Sequence, residues 1–131
     1  MIESSLEVTD NLAAVVASAP RVTLADIENA IAYRIDRNGW DMLPETIPVE
    51  NTGSLNSLKV LSICLLVMKN GFIVIGKSAP ASPENYSEDL GKQFAYEDGI
   101  RQLWPLMGHA LRDRLWRDSD DAMQFHKATM P

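Results

Sequence analysis

Apolar and polar positions follow three different rhythms along this chain. From residue 24 on, Leu24, Ile27, Ile31 and Ile35 recur at helical spacing. Thr23 offers an N-cap oxygen, and Asp26 three residues on approximates a capping box. Asn38-Gly39 supplies a C-terminal stop. The pattern predicts a helix over about 24–37 whose apolar stripe needs cover. From Lys59 to Met68 nearly every residue is apolar, which by periodicity fits a buried helix or a buried strand. The following residues decide for strands. Asn70-Gly71 separates that run from Phe72, Ile73, Val74 and Ile75, and Asn-Gly between apolar runs marks a hairpin whose two turn residues take positive φ. With Asn70-Gly71 as the tip, Lys69 faces Phe72 and Val67 faces Val74.

The third rhythm is a long amphipathic helix. Ser82-Pro83 reads as an N-cap and first helical residue, and Ser87 followed by Glu88 and Asp89 offers a second start. The apolar face then runs through Tyr86, Leu90, Phe94, Ile100, Trp104, Met107, Leu111 and Leu115. Pro105 removes a backbone donor and predicts a kink or restart. Gly108 lies on the apolar face, where another backbone could approach.

The remaining segments are weaker. Residues 1–20 end in Ala-Ser-Ala-Pro and read as a mobile N-terminal arm, with room for a helical turn between Leu12 and Val16. Residues 39–57 carry two glycines and two prolines, so regular structure is expected to be sparse, apart from a short edge strand around Ile47 and Val49. Trp40, Met42 and Leu43 are expected to fold back onto the core. Residues 118–131 read as an acidic flexible tail. The expected fold is α+β over residues 21–117, a single domain: N-terminal helix, antiparallel hairpin, long kinked C-terminal helix. Both faces of the hairpin are apolar, and two strands cannot cover themselves. Either helices pack on both sides or the hairpin joins a sheet in another subunit, and a homo-oligomer is the preferred expectation.

Composition narrows the function classes. The formal net charge of −6 over 131 residues disfavours sequence-independent contact with nucleic acid phosphates and suits a basic protein partner. A single cysteine, Cys64, excludes an internal disulfide and fits a reducing cytoplasm. No apolar run approaches the ~18 residues of a membrane span. No phosphate loop, dinucleotide fingerprint or zinc-ligand spacing occurs, so neither cofactor nor metal is expected. His109 and His126 are far apart, and His109 falls off the apolar face. Cys64, between apolar neighbours, reads as a buried inert thiol.

Two candidate binding features stand out. Gln93, Glu97 and Arg101, at i, i+4 and i+8, fall on or beside the apolar face. They form either a solvated polar rail or a buried carboxylate that binds a polar group in a pocket or interface. The segment from Lys77 through Ser78, Ser82, Glu84 and Asn85 precedes a helix start. It is either ordinary capping or an anion site formed by backbone N–H groups with Lys77 adding charge.

The order Lys69-Asn70-Gly71-Phe72, Gly76-Lys77-Ser78-Ala79, Ala81-Ser82-Pro83-Glu84-Asn85-Tyr86, Leu90-Gly91-Lys92 and Leu103-Trp104-Pro105-Leu106 resembles the phage gene-product-49/66 family over roughly residues 22–115. Members of that family often carry a cysteine near the position of Pro80, so thiol chemistry in the loop is not expected here. The resemblance implies a phage accessory protein made in the host bacterial cytoplasm. It implies no activity and no catalytic residues. The leading expectation is a non-enzymatic protein that binds and disables a host defence factor, with a basic nucleic acid-binding complex as the preferred target. The second is an oligomer that sequesters a small nucleotide immune signal near residues 78–85 and Glu97/Arg101. An enzyme is the third.

Overall fold

A computed structural model describes residues 4–47, 53–120 and 123–125. The chain forms two compact units, one from Glu28 to Gln102 and one from the residues up to Ile27 together with those from Leu103 onward.

The Glu28–Gln102 unit is built on a three-stranded antiparallel sheet in the order β1 (Ile31–Asn38), β2 (Ser62–Met68), β3 (Ile73–Ser78). The expected helix over 24–37 is therefore half right. A helix, α2, covers Leu24–Ala30, and Ile31–Asn38 is strand. Ile31 and Ile35 fit both periods, because Ile31, Tyr33 and Ile35 also alternate with Ala32, Arg34 and Asp36. Pairing settles the matter. β2 has two edges, β3 takes one, and residues 31–38 satisfy the backbone groups of the other.

The hairpin differs from expectation by one residue. Val67 pairs with Ile73 and Leu66 with Val74. The loop is Lys69-Asn70-Gly71, closed by the Met68 N–H donating to the Phe72 carbonyl at 2.8 Å. Of the three loop residues only Gly71 has positive φ, +89°. The Asn70 side chain accepts the Phe72 N–H instead, which is the three-residue loop with glycine in the left-handed position.

A 30-residue helix, α3 (Glu88–Arg117), follows with Pro105 inside it. Its first half covers one face of the sheet. Cys64, Leu66 and Val74 from that face are buried, as are Ala95 and Ile100 from α3. Small residues set the distance: a Cβ on Gly99 would meet the Leu66 side chain, one on Gly91 the Ser62 side chain, and one on Gly76 the α3 backbone at Ala95 and Gly99. Gly91, Ala95 and Gly99 thus form the contact stripe. The expected face is rotated from this stripe, and Leu90 and Phe94 are 40% and 50% exposed. Bulky residues there would hold the helix off the sheet, whereas the glycines let backbones meet. Among the described residues no neighbouring backbone approaches the place a Gly108 side chain would take.

Ser87 caps α3, accepting from the Leu90 N–H, and Ser82 does not cap the short 3-10 turn at Pro83–Asn85 that its own position opens. Between β1 and β2, 3-10 turns cover Gly39–Met42 and Gly53–Val60. Val60 and Lys59 thus lie outside the strand that the apolar run predicted. Lys59 sits over the Trp40 ring at 4.6 Å. Met42 is 51% exposed rather than folded into the core. Ile47 closes a turn onto the Pro44 carbonyl, and Val49 lies outside the described residues.

In the other unit, where an arm was expected, Ser5–Val16 forms α1, with Ser4 as N-cap. Asp10 anchors it. Its carboxylate accepts from Arg21 Nη1 at 2.8 Å and from the Leu24 N–H at 3.2 Å, joining α1 to the start of α2. Thr23 and Asp26 form the reciprocal capping box, at 2.9 and 3.0 Å.

Candidate functional site

The residues singled out from the sequence do not converge on one site. Ser78 and Asn85 line a groove of about 280 Å³ with Pro80, Tyr86, Leu90 and Phe94. Among the described residues no lysine or arginine lines it, and an anion site needs such a charge. The Ser82 hydroxyl donates to the Glu84 carboxylate on the exposed side of the loop. That bond holds the Glu84 carboxyl below the usual carboxylate range. Lys77 stands elsewhere. Its N–H donates to Asp98 Oδ2 at 3.0 Å, and strand alternation puts its side chain on the sheet face opposite α3.

Gln93, Glu97 and Arg101 do come together. Glu97 is 5% exposed, which excludes a fully solvated rail. Gln93 Nε2 donates to its Oε1 at 3.0 Å, and Arg101 Nη2 lies 3.6 Å from its Oε2. Both carboxylate oxygens thus have a partner on the same helix. On the wheel the trio lies on the side of α3 away from the Gly91/Ala95/Gly99 stripe.

A second cluster was not foreseen. Arg34 on β1 contacts Asp36 at 3.1 Å through Nε, and its guanidinium lies 4.2 Å from the centre of the Tyr96 ring. Burial first, then Glu28, pushes the Tyr96 phenol up to about 12. Burial first, then Asp36, pushes the Cys64 thiol up to about 11. Both groups are neutral at physiological pH, and a thiol held neutral is a poor nucleophile. Cys64 is therefore the inert core thiol its neighbours implied. His109 is exposed, and His126 lies outside the described residues. Among the described residues no group of three or more His, Cys, Asp and Glu side chains could hold a metal ion.

The region around residues 69–104 that carried the resemblance thus supplies the hairpin loop, the Gly76 contact and the start of α3. The model of the Phage protein (N4 Gp49/phage Sf6 gene 66) family matches residues 22–115. The chain belongs to that family. No curated protein and no solved structure matches it. Among the described residues no helix is long and apolar enough to cross a membrane.

The match begins after α1, and α1 holds the surface that sequence reasoning missed. Leu6 is buried, and Asp10 and Ala13 on the same side are half-buried. On the opposite side Val8, Leu12, Val15 and Val16 are 41%, 65%, 83% and 81% exposed. Four apolar side chains at i, i+4, i+7 and i+8 form one outward stripe. The available signal was Leu6, Asp10 and Ala13 at helical spacing, but nothing in the sequence says which face turns inward.

Proposed function

We propose that this phage family member is a non-enzymatic accessory protein that binds a host protein and disables it. The observation that carries the proposal is the outward apolar stripe of α1. Helices with anchors at i, i+4 and i+7 bind by laying that face in an apolar groove of a partner. Glu7 lies beside the stripe, and the whole chain carries a net charge of −6. That charge favours a groove with a basic rim, as in a nucleic acid-binding complex.

The test is capture from host lysate by tagged full-length protein, with the recovered sample analysed for proteins and small molecules. One stoichiometric host protein is expected, and Leu12→Glu with Val15→Glu should release it while the circular dichroism spectrum is unchanged. Capture that survives the double variant refutes the α1 reading. The second reading, sequestration of a small nucleotide, draws on the groove at Ser78, Asn85 and Tyr86, whose volume is near the ~300 Å³ lower end for ligand pockets. Its uncharged polar lining argues against a phosphorylated ligand. A nucleotide released from purified protein in place of a captured protein would reverse the order.

A further inference from the structure

The sheet has a second face, and α3 covers only the first. On the uncovered face three rows cross the strands: Tyr33, Val67 and Ile73; Ile35, Leu65 and Ile75; Arg37, Ile63 and Lys77. Seven of the nine are aliphatic or aromatic. Tyr33 is 69% exposed, Ile73 53%, Ile75 54% and Ile35 39%. The cations stand together at one end, and the aromatic ring stands at the other.

We propose that this face is the contact between two copies of the chain, related by a two-fold axis that runs across the strands. Three observations select a second copy in that orientation. The first is charge. An axis parallel to the strands would place the Arg37/Lys77 row of one copy on the same row of the other. Four cations would then meet in an apolar contact, which is costly. An axis across the strands reverses the row order. Arg37 then meets Tyr33 of the second copy, a cation over an aromatic ring. Lys77 meets the Ile73 end, where its methylene stem can lie on apolar surface with the ammonium in water. Ile35 meets Ile35, Leu65 meets Leu65 and Ile75 meets Ile75.

The second observation is that side chains of α3 take up part of the outer edge of β3. Gln102 Nε2 donates to the Ile75 carbonyl at 2.8 Å, and Asp98 accepts the Lys77 N–H at 3.0 Å. These side chains occupy two of the backbone groups that an added strand would use, which disfavours strand addition there. Association at this strand therefore favours the face. The third is area. Three strands at about 4.8 Å spacing and five residues at about 3.3 Å rise make a plane of about 14 by 17 Å. Side-chain relief raises the accessible surface above the roughly 240 Å² of that plane, toward the ~300–600 Å² of large monomer patches. Buried on both copies, that is about 600–1,200 Å², below the ~1,200 Å² at which stable interfaces begin and in the weak, transient class. The dimer is thus concentration-dependent.

Sedimentation equilibrium of the full chain tests this, with the 14.5 kDa monomer mass as reference. The mass should rise toward twice that value between about 1 and 500 µM, the span over which a contact of this size is half-formed. Ile75→Lys should raise the dissociation constant at least tenfold. Tyr33→Ser, on an exposed edge-strand position, should do the same and keeps the test valid if Ile75→Lys fails to fold. A monomer mass throughout, or a dimer unaffected by Tyr33→Ser, overturns the proposal. Orientation is read by cross-linking in a Cys64→Ala background. Facing sheets lie about 10 Å apart, within reach of a short bismaleimide. Ile35→Cys and Ile75→Cys should each link to itself. Linkage only in a mixture of the two variants overturns the axis assigned here.

Discussion

Replacing Gly76 by alanine tests how β3 and α3 meet. A Cβ built on Gly76 would lie 2.7 Å from the Gly99 nitrogen and 3.0 Å from the Ala95 carbonyl carbon, and would overlap the Ala95 carbonyl oxygen. All three are backbone atoms of α3, so no side-chain rotation relieves the clash. Carbon contacts are ordinarily about 3.5–4.0 Å, so the helix must withdraw by roughly 1 Å or more. Withdrawal loosens its packing on Leu66 and Cys64, both fully buried. Overpacking costs about 1–3 kcal/mol where side chains can adjust. A backbone that must move puts Gly76→Ala at about 3 kcal/mol. Each kcal/mol is worth about 3 °C in Tm for a chain of this size, so the midpoint should fall by about 10 °C. Backbone entropy alone predicts the opposite sign, because alanine gains about 0.5–1 kcal/mol over glycine in a strand interior. Urea and thermal unfolding followed by circular dichroism distinguish the two. Gly108→Ala is the control: among the described residues nothing outside its own helix turns lies within 4 Å of its Cβ, and alanine in a helix interior should stabilise by about 1 kcal/mol. A Gly76→Ala protein as stable as the parent would refute the close approach.

Three further outcomes are expected. Asp26→Ala removes the capping box with Thr23 and should cost about 1 kcal/mol in urea titrations. The Thr23 N–H bond, then the Thr23 hydroxyl, holds the Asp26 carboxyl below its ordinary 3.8. Its contribution is therefore present above pH 3.8 and lost as pH falls through the lower folded value, so an Asp26→Asn difference that persisted under strong acid would refute it. The Cys64 thiol, raised from 9.0 to about 11, contributes stability that is full below pH 9 and lost as pH rises toward 11. Alkylation at pH 8, followed by mass, should track unfolding; rapid labelling of the native protein contradicts that burial. Glu97→Ala strips the Gln93 amide of its buried acceptor and should cost about 1–3 kcal/mol. Arg101→Ala should cost under about 1 kcal/mol, because the Arg101 side chain is 52% exposed. The reverse order in chemical denaturation would show that the arginine, not the amide, holds the carboxylate.

The candidate site was legible only in fragments. Glu97 stood out because a carboxylate among apolar helical positions is costly, and the structure does bury it. Its burial is resolved by Gln93 and Arg101, both of which share its helix and were visible at the same spacing. Lys77 and Ser78 are adjacent in sequence but point to opposite sides of a strand, so the proposed charge never reaches the loop groove. The α1 stripe was missed because residues 1–20 read as an arm, with room for only one helical turn between Leu12 and Val16. Here the Asp10–Arg21 pair, eleven residues apart, accompanies the opposite face turning inward.

Local chemistry determined much of this protein by itself. Asn70-Gly71 between apolar runs specified a hairpin, Thr23 with Asp26 specified a helix start, and Ser87 with two acids specified where α3 begins. Each signal acts within a few residues, so each is readable from the chain, although Ser82-Pro83 offered a competing start for α3 that only the structure ruled out. Tertiary structure decided what such signals leave open. Residues 31–38 suit a helix or a strand, and the vacant edge of β2 made them strand. A loop longer by one residue set the register that puts Leu66 and Val74 on the same face. Glycines at 76, 91 and 99, and not the bulky Leu90 and Phe94, set which side of α3 meets the sheet. These outcomes depend on backbone hydrogen bonds and close contacts between residues far apart in the chain, where periodicity carries no information.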